Sequence, residues 1–210
     1  MEHLHVQMLG DFSFREGENM ISDLQNRTKK VWILLAYILC KRGQIVSRKE
    51  LIQLLWGEDA TSNNPENALK ITFYRVRTLL DQLEENAGHQ LVVWQDNGYT
   101  WNMDIPMTLD IEEFEKACST EYMDETEHLE NNLKAIALYQ GEFLSNLPND
   151  EWIAGPRSHY HQLYIEKVLE TAPLLLSHNR SKEAITVLKK AISTDSCHET
   201  LNKLLMEAHM

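Results

Sequence analysis

Hydrophobic positions between Asn67 and Leu83 recur at alternating spacings of four and three, which predicts an amphipathic helix. The apolar stripe consists of Leu69, Phe73, Val76, Leu80 and Leu83. The opposite face carries Asn67, Lys70, Ile71, Tyr74, Arg75 and Thr78, with Arg77 at its flank. That face has no acidic residue before Asp81, and it mixes cations with an amide, a phenol hydroxyl and an aliphatic side chain.

This mixture is what a helix lying in the major groove of DNA needs. Arginine offers a two-pronged donor to guanine, an amide pairs with adenine, an aliphatic group meets the thymine methyl, and further donors meet phosphates. The alternative is an ordinary solvated helix face that includes one isoleucine. The neighbouring elements favour the DNA hypothesis.

Two further helices are predicted ahead of this one. Residues 28–41 have apolar positions at helical spacing, and Gly43 follows where a residue tolerant of positive φ is expected. Ser47 is a favourable N-cap for a helix from Arg48 to Trp56, and Glu50 completes a capping box.

Strand patterns flank the three helices. Hydrophobic and polar residues alternate, as expected for strands, in four segments at residues 4–9, 12–14, 90–94 and 99–103. Asn97-Gly98 is a strong signal for a tight hairpin, and breaks at Gly10 and near Gly17 divide the first strands. Strands, three helices and a hairpin predict an α+β winged helix-turn-helix with an N-terminal β-sheet.

The second half of the chain carries helical apolar stripes. They are Leu129, Leu133 and Ile136; Tyr160, Tyr164, Val168, Ala172 and Leu175; Ala184, Leu188 and Ala191; and Leu201, Leu204 and Leu205. Short polar turns between them predict antiparallel stacked pairs. The spacing from Val168 to Ala191 fits one tetratricopeptide repeat, although Ser196 replaces the closing proline and Pro173 should kink its helix or end it early. A generic helical bundle is the alternative.

Short motifs in the first half carry a family resemblance. They are Leu9-Gly10-Asp11-Phe12, Ser47-Arg48-Lys49-Glu50-Leu51-Ile52, Leu54-Leu55-Trp56, Asn67-Ala68-Leu69-Lys70, Tyr74-Arg75-Val76-Arg77 and Gly98-Tyr99. The Arg-apolar-Arg step and the Gly-Tyr pair are the most specific. With them, residues 4–103 resemble the OmpR/PhoB-type winged-helix domain, in the variant found in SARP-type bacterial transcriptional activators.

The resemblance implies roles for residues of the recognition helix, which begins at Pro65. It places Arg75 at a base-contacting position and Ile71 against a thymine methyl. Thr72, Tyr74 and Arg77 fall where phosphate contacts occur in such domains.

Two positions depart from the family pattern. Tyr74 stands where a second arginine is common, and Thr100 stands where the wing often offers an arginine to the minor groove. We therefore expect weak or absent minor-groove recognition by the wing. The predicted DNA-contacting residues are Asn67, Lys70, Ile71, Thr72, Tyr74, Arg75, Arg77, Arg48, Lys49 and Thr100.

Residues 108–210 resemble the helical bacterial transcriptional activator domain, which is built like tetratricopeptide repeats. The motifs are Leu109-Asp110-Ile111-Glu112-Glu113-Phe114, Leu138-Tyr139-Gln140-Gly141-Glu142-Phe143-Leu144 and Asp150-Glu151-Trp152. We predict a winged-helix domain at residues 1–105 and all-α tetratricopeptide-like repeats at residues 106–210. Met107-Thr108 at the boundary is too short for a free linker, so the domains are expected to pack together.

Composition narrows the class of protein. The 210 residues, 43% of them hydrophobic, are ample for two cores. No run approaches the roughly 20 apolar residues of a membrane span, and no signal-peptide core opens the chain. Cys40, Cys118 and Cys197 are too widely spaced to indicate a disulfide framework. A cytoplasmic protein that does not bind membranes is expected.

Motifs for catalysis, metal or cofactors are missing from the sequence. It has no phosphate-cradling glycine loop, no Gly-x-Ser-x-Gly and no His-Glu-x-x-His. His159 and His161 would point to different sides of a helix. We therefore predict that the protein is not an enzyme and that it has neither a metal site nor a cofactor.

The charge balance argues against simple non-specific binding of nucleic acid. Through Met103 the chain has 11 Lys and Arg against 13 Asp and Glu, and the rest has 9 against 19, within a net charge of −12. A basic cluster still surrounds the helices before the recognition helix, comprising Arg27, Lys29, Lys30, Lys41, Arg42, Arg48 and Lys49. We expect modest affinity for random DNA and dependence on a dimer or on a polymerase partner.

Two functions remain open. The first is a sequence-specific transcriptional regulator, most simply an activator, that reads promoter DNA. By resemblance it would bind tandem repeats as a homodimer and contact RNA polymerase through the loop at residues 57–64. The alternative is a protein-interaction adaptor that uses the helical repeats, which the acidic balance favours. The chain stops within a predicted helix, so it is also expected to be a fragment of a longer regulator.

Overall fold

The computed structural model describes residues 2–25, 28–57, 64–119 and 124–209. The chain forms two compact units. The first comprises Met1–Gln7 and Asp11–Thr108, and the second comprises Met8–Gly10 and Leu109–Met210. The division after Thr108 lies close to the predicted boundary, but three residues of the amino-terminal part belong to the second unit. That assignment differs from a simple split into residues 1–105 and 106–210.

The first unit contains the predicted strands, three helices and hairpin in that order, together with a short fourth helix and a last strand that were not predicted. The elements are β1 (Leu4–Gln7), β2 (Ser13–Glu16), β3 (Asn19–Ser22), α1 (Lys29–Cys40), β4 (Val46–Ser47), α2 (Arg48–Trp56), α3 (Pro65–Leu80), α4 (Ala87–Leu91), β5 (Val92–Gln95), β6 (Gly98–Trp101) and β7 (Met107–Leu109). A four-stranded sheet has the order β3-β2-β1-β7, and a three-stranded sheet has the order β4-β6-β5. The loop expected to contact polymerase, and Arg27 of the basic cluster, lie largely or wholly outside the described residues.

Aromatic residues join the amino-terminal sheet to the winged helix. Phe12 and Trp32 meet edge to face with ring centroids 5.4 Å apart, and Phe14 stacks on Trp101 at 6.0 Å. All four side chains are fully buried. Eight of the twelve residues of α1 are buried, so α1 is the central helix of this unit and fixes the surfaces around it.

The wing hairpin turns at Asp96 and Asn97. Both residues have left-handed φ, 45° and 64°, and Gln95 pairs with Gly98 across the turn. This is the two-residue hairpin predicted, placed one residue earlier than Asn97-Gly98. Gly98 is needed instead for close approach, since a Cβ there would lie 2.5 Å from Ile45 Cγ2 and 2.6 Å from the Val46 carbonyl oxygen.

The predicted first residue of the strand at residues 90–94 was wrong. Residues 90 and 91 end the short helix α4, and the strand begins at Val92. The reason is tertiary packing: Gly88 lies so close to α3 that an added Cβ would be 2.4 Å from Arg77 Cα. The Gly88 amide also donates to the Asp81 carboxylate at 2.9 Å, which holds the helical turn in place.

The described part of the second unit is mainly helical. Its helices are α5 (Asp110–Ser119), α6 (Glu125–Leu138), α7 (Glu151–Ser177), α8 (Ser181–Thr194) and α9 (Glu199–Ala208). Most of the predicted stripe positions are buried, and Leu133, Leu204 and Leu205 are half-buried. Pro173 does not end its helix early, because buried Thr171, Ala172 and Leu175 anchor both sides of the missing hydrogen bond.

Met8–Gly10, here called the amino-terminal strap, pairs with the loop that follows α6. The Gly10 amide donates to the Glu142 carbonyl at 3.0 Å, and the amide of Leu144 donates to the Met8 carbonyl at 2.8 Å. The Ser145 amide donates to the Gly10 carbonyl at 3.1 Å. The strap therefore forms an isolated antiparallel bridge within the helical unit, with Leu9 opposite Phe143.

Two side chains of the helical unit hold the strap and its partner loop. The Asp110 carboxylate accepts hydrogen bonds from the amides of Met8 and Leu9, both at 2.8 Å. Burial raises the pKa of Asp110 to about 6, and the backbone donors act in the opposite direction. Arg157 donates from its guanidinium to the carbonyls of Phe143, at 3.0 Å, and Leu144, at 2.8 Å.

Candidate nucleic-acid interface

Helix α3 is anchored as its pattern predicted. Leu69, Phe73, Val76 and Leu80 of the apolar stripe are buried, and Leu83 is buried just after the helix ends. At the other end, the Asn64 side chain caps the helix by accepting from the Asn67 amide at 3.0 Å. The core-facing stripe is confirmed, and it fixes which side chains point outwards.

The exposed face of α3 carries the predicted side chains. Asn67, Lys70, Ile71, Tyr74, Arg75 and Thr78 are all exposed. The exposed fractions are 46% for Ile71 and 72% for Tyr74, which is unusual for large apolar and aromatic side chains. At 100° per residue, the face forms one continuous arc from Arg77 at one edge to Arg75 at the other. Such an arc presents cations at both edges and an aromatic and an aliphatic group between them.

The edge of α3 near Arg77 adjoins the wing. Tyr99 stacks on Phe73 with ring centroids 3.5 Å apart, and Trp94 meets Tyr99 edge to face at 4.7 Å. The Arg48 guanidinium lies 4.3 Å from the Trp94 ring centroid, a cation–π contact. Burial raises the pKa of Tyr99, and the positive charges of Arg77 and Arg48 oppose this rise. The wing edge therefore joins two arginines to a tyrosine hydroxyl and an indole.

Arg77 itself is half-buried. Its Nε is buried and has no hydrogen-bond partner among the described residues. The close approach of Gly88 to its backbone fixes the position of this residue. Arg77 is thus held at the flank of the exposed face, as its place in the sequence predicted.

Two predicted DNA-contacting residues are not presented to solvent. Thr72 is 7% exposed, and its hydroxyl donates to the Ala68 carbonyl of the same helix at 2.9 Å. Thr100 is 8% exposed, and its hydroxyl donates to the Trp101 carbonyl at 3.4 Å. We omit both from the interface, because their donors are used inside the fold. For Thr100 this agrees with the expectation of little minor-groove recognition by the wing.

The predicted basic cluster does not form one patch. Lys29 and Lys30 begin α1, whereas Lys41 and Arg42 follow its last residue, and a helix of this length spans roughly 18 Å. At the far end, Arg42 donates to the Leu39 carbonyl at 3.4 Å. These cations are close in sequence, but α1 holds the two pairs apart in space.

The remaining basic residues lie at other parts of α2 and α1. Arg48 and Lys49 are exposed in the first turn of α2, where Arg48 reaches the wing. The ammonium of Lys30 lies 4.5 Å above the ring of Trp56, the last residue of α2. Tyr99 and Trp56 belong to motifs of the family resemblance but were given no role in DNA binding, and Trp94 belongs to none of those motifs. The contacts of all three depend on packing between segments that are distant in sequence.

Within the described ranges, no group of three or more His, Cys, Asp or Glu residues is arranged to hold a metal ion. No helix in the same ranges is long and apolar enough to cross a membrane.

Comparison with known proteins gives matches to both units. Residues 25–101 match the family model described as the C-terminal part of transcriptional regulatory proteins, and residues 109–210 match the bacterial transcriptional activator domain. The chain belongs to the SARP-type bacterial transcriptional activators. This confirms the predicted family and fold class, a winged helix followed by helical repeats. SARP-type proteins are transcriptional regulators with a DNA-binding domain, which is not an enzyme class.

Two similar proteins support the assignment. The regulatory protein AfsR of Streptomyces griseus is 26% identical over 211 residues, covering 98% of this SARP-type chain and 20% of AfsR. The structure of Mycobacterium tuberculosis EmbR in complex with a low-affinity phosphopeptide has a TM-score of 0.67 at 17% identity, covering 98% of this chain and 54% of EmbR. The EmbR likeness shows the fold alone. The chain thus spans about a fifth of AfsR and about half of EmbR.

Proposed function

We propose that this SARP-type chain binds promoter DNA sequence-specifically by laying α3 in the major groove. The observation that carries the proposal is the exposed arc of α3, which is cationic at both edges and free of acidic residues from Asn67 to Leu80. Arg75 would donate to guanine, Asn67 would pair with adenine, and Ile71 would meet a thymine methyl. Lys70 and Tyr74 would contact the adjacent backbone or base edges.

The wing edge would position the helix on the backbone. Arg77, Arg48 and the Tyr99 hydroxyl lie together there, and Lys49 is exposed one residue beyond Arg48. Contacts of this kind go to phosphates, which set register and orientation without selecting sequence. The indole of Trp94 holds the Arg48 guanidinium in place, so this donor is oriented before DNA arrives.

We further propose that the chain activates transcription. The family supports an activator that contacts DNA and RNA polymerase. Binding to tandem promoter repeats as a dimer is part of this proposal. The negative charge of the helical unit makes strong binding to random DNA unfavourable. A protein partner at the promoter would then add to the affinity for DNA. The localisation that follows from this role is cytoplasmic.

The alternative is an adaptor whose helical repeats bind another protein. The acidic balance of that unit is the feature that favours it. An adaptor, however, has no use for an arc that exposes Ile71 and Tyr74 among cations. The DNA-binding proposal explains that arc and the adaptor proposal does not.

Selection from a randomised duplex library with the purified chain tests the proposal. We expect enrichment of a short motif in direct repeat, because each copy of α3 reads one segment of the groove. Repeating the selection with Ile71→Ala should relax one position at which thymine is preferred, and Lys203→Gln, a change in the helical unit, should leave the motif unchanged. Absence of any enriched motif with the intact chain would favour the adaptor.

Transcription in vitro separates activation from repression. A promoter carrying the enriched repeat should give more transcript with purified bacterial RNA polymerase when the chain is added. Sedimentation on duplexes with one and two repeats should show one and two copies bound. Reduced transcription at the same promoter would make the chain a repressor.

A further inference from the structure

A groove of about 360 Å³ lies beside the Arg75 edge of α3. Its walls include Lys29 and Lys30 from the start of α1, Trp56 from the end of α2, and Ile71 and Arg75 from α3. The side chains proposed to contact bases therefore form one wall of the groove. The residues opposite them have no role in base recognition.

The groove is cationic. Lys29, Lys30 and Arg75 supply three positive charges, and no carboxylate is among the described residues that line the groove. None of the three makes an ion pair within the described ranges, and Lys30 instead lies above Trp56 with its ammonium 4.5 Å from the ring centroid. Three cations around one concavity repel each other, so an anion in the groove would be stabilised by all three.

The start of α1 has a sequence that is unfavourable for a helix terminus. Two lysines occupy its first two positions, its first turn has no acidic residue, and Thr28 makes no capping hydrogen bond with its side chain. Helix starts favour acids and capping side chains, because the helix dipole is positive there. Residues that are unfavourable for folding are expected at positions where they serve binding. Together with the cavity, this points to an anionic occupant.

We propose that the groove seats a phosphate of the DNA strand beside the bases contacted by α3. This rests on the proposed function and adds α1 as a second backbone-holding element, on the opposite edge of α3 from Arg77 and the wing. DNA is the occupant because Ile71 and Arg75 form one wall of the groove. When these two side chains contact bases of a duplex, the backbone of that duplex lies beside the groove. The two lysines then act on affinity, and Arg75 acts on sequence preference.

The double variant Lys29→Gln, Lys30→Gln tests this on the intact chain. We expect binding to the selected motif to weaken about 10-fold or more at 0.1 M salt, with the slope of log affinity against log salt reduced by about 0.9 for each lysine. The base preferences should not change. A matched control, Lys182→Gln with Lys203→Gln, removes two lysines of the helical unit and should leave the slope unaltered.

Phosphate ethylation interference locates the contact. Wild type should show interference at a backbone phosphate flanking the motif that the double variant loses. A single variant, Lys29→Glu, should raise the midpoint of thermal unfolding while weakening DNA binding, because an acid suits the helix start. A structural role for Lys29 would instead lower that midpoint and would overturn the proposal.

The outcomes separate this inference from the proposed function. If the intact chain selects no motif, the proposed function fails. If it selects one and the double variant keeps the wild-type salt slope and ethylation pattern, the groove proposal alone is overturned. An altered base preference in the double variant would also overturn it, since the lysines would then act through Arg75 and not on phosphate.

Discussion

Arg75 is the residue at which sequence preference is expected to be strongest. Its side chain is exposed on the arc of α3, where a guanidinium can meet guanine in two-pronged fashion. We predict that Arg75→Ala costs about 1–3 kcal/mol of binding free energy on the selected motif and relaxes preference at one base pair. Fluorescence anisotropy with the motif and with single-base variants measures both effects.

Arg77 provides the matched comparison, because it lies two residues away but at the wing edge. Arg77→Ala should weaken binding to all sequences by a similar factor and lower the salt slope by about one. Equal losses for both variants on every duplex would contradict base recognition by Arg75. Thermal unfolding of each variant checks that the half-buried Arg77 is not needed for the fold.

Asp110 makes the stability of the helical unit depend on pH. Its pKa is raised to about 6 by burial, above the value near 4 of an unfolded chain, so the folded state binds the proton more tightly. The contribution of Asp110 to the free energy of unfolding should therefore be largest below about pH 4 and fall as pH rises through 6. Relative to Asp110→Asn, wild type should lose about 1–3 kcal/mol between pH 4 and pH 7. Urea unfolding of both proteins across that range measures it, and a constant difference would contradict it.

At the scale of elements, the wing depends on one glycine. A Cβ at position 98 would lie 2.5 Å from the Ile45 side chain and 2.6 Å from the Val46 carbonyl, so β4 and β6 must separate to admit it. We predict that Gly98→Ala destabilises the first unit by about 1–3 kcal/mol. Gly155→Ala on α7 is the control, because a Cβ there meets nothing within 4 Å. Equal midpoints of thermal unfolding for the two variants would show that β4 and β6 can separate without loss of stability.

The three helices α1, α2 and α3 were predictable from sequence because their apolar residues recur at helical spacing, whereas the short α4 depends on packing against α3 and was missed. Ser47, for example, caps α2 by accepting from the Glu50 amide at 3.2 Å, as the capping box predicted. The exposed arc of α3 followed from the same periodicity. The groove beside it did not, since Lys29, Trp56 and Arg75 are far apart in sequence and meet only after packing.

At the scale of the molecule, the two units differ in charge and share the chain in an unexpected way. Nearly all of the net charge of −12 lies after Met103, so we expect the helical unit to repel DNA, in contrast to the winged helix that is proposed to bind it. The chain passes from one unit to the other three times, because the strap at Met8–Gly10 belongs to the helical unit. No local pattern signals that assignment, since the strap reads as the end of a strand.

The strap leads to a prediction about fragments. Met8 and Leu9 are fully buried, and burying such a side chain contributes about 1.5–3 kcal/mol, against about 5–15 kcal/mol for a whole domain. A fragment of residues 106–210 lacks both side chains and the strand partner of its own loop. We therefore expect it to be substantially less stable than the same residues within the intact chain.

Amide exchange identifies the cause. In the intact chain the amides of Leu144 and Ser145 donate to the strap, whereas the Arg180 amide donates to Leu175 within the helical unit. The fragment should lose protection at Leu144 and Ser145 first, with Arg180 retaining more. Because a fragment that unfolds entirely gives no such contrast, Leu9→Ala in the intact chain serves as the second variant and should weaken the same two amides. Unchanged protection at both positions would mean that the helical unit is complete without the strap.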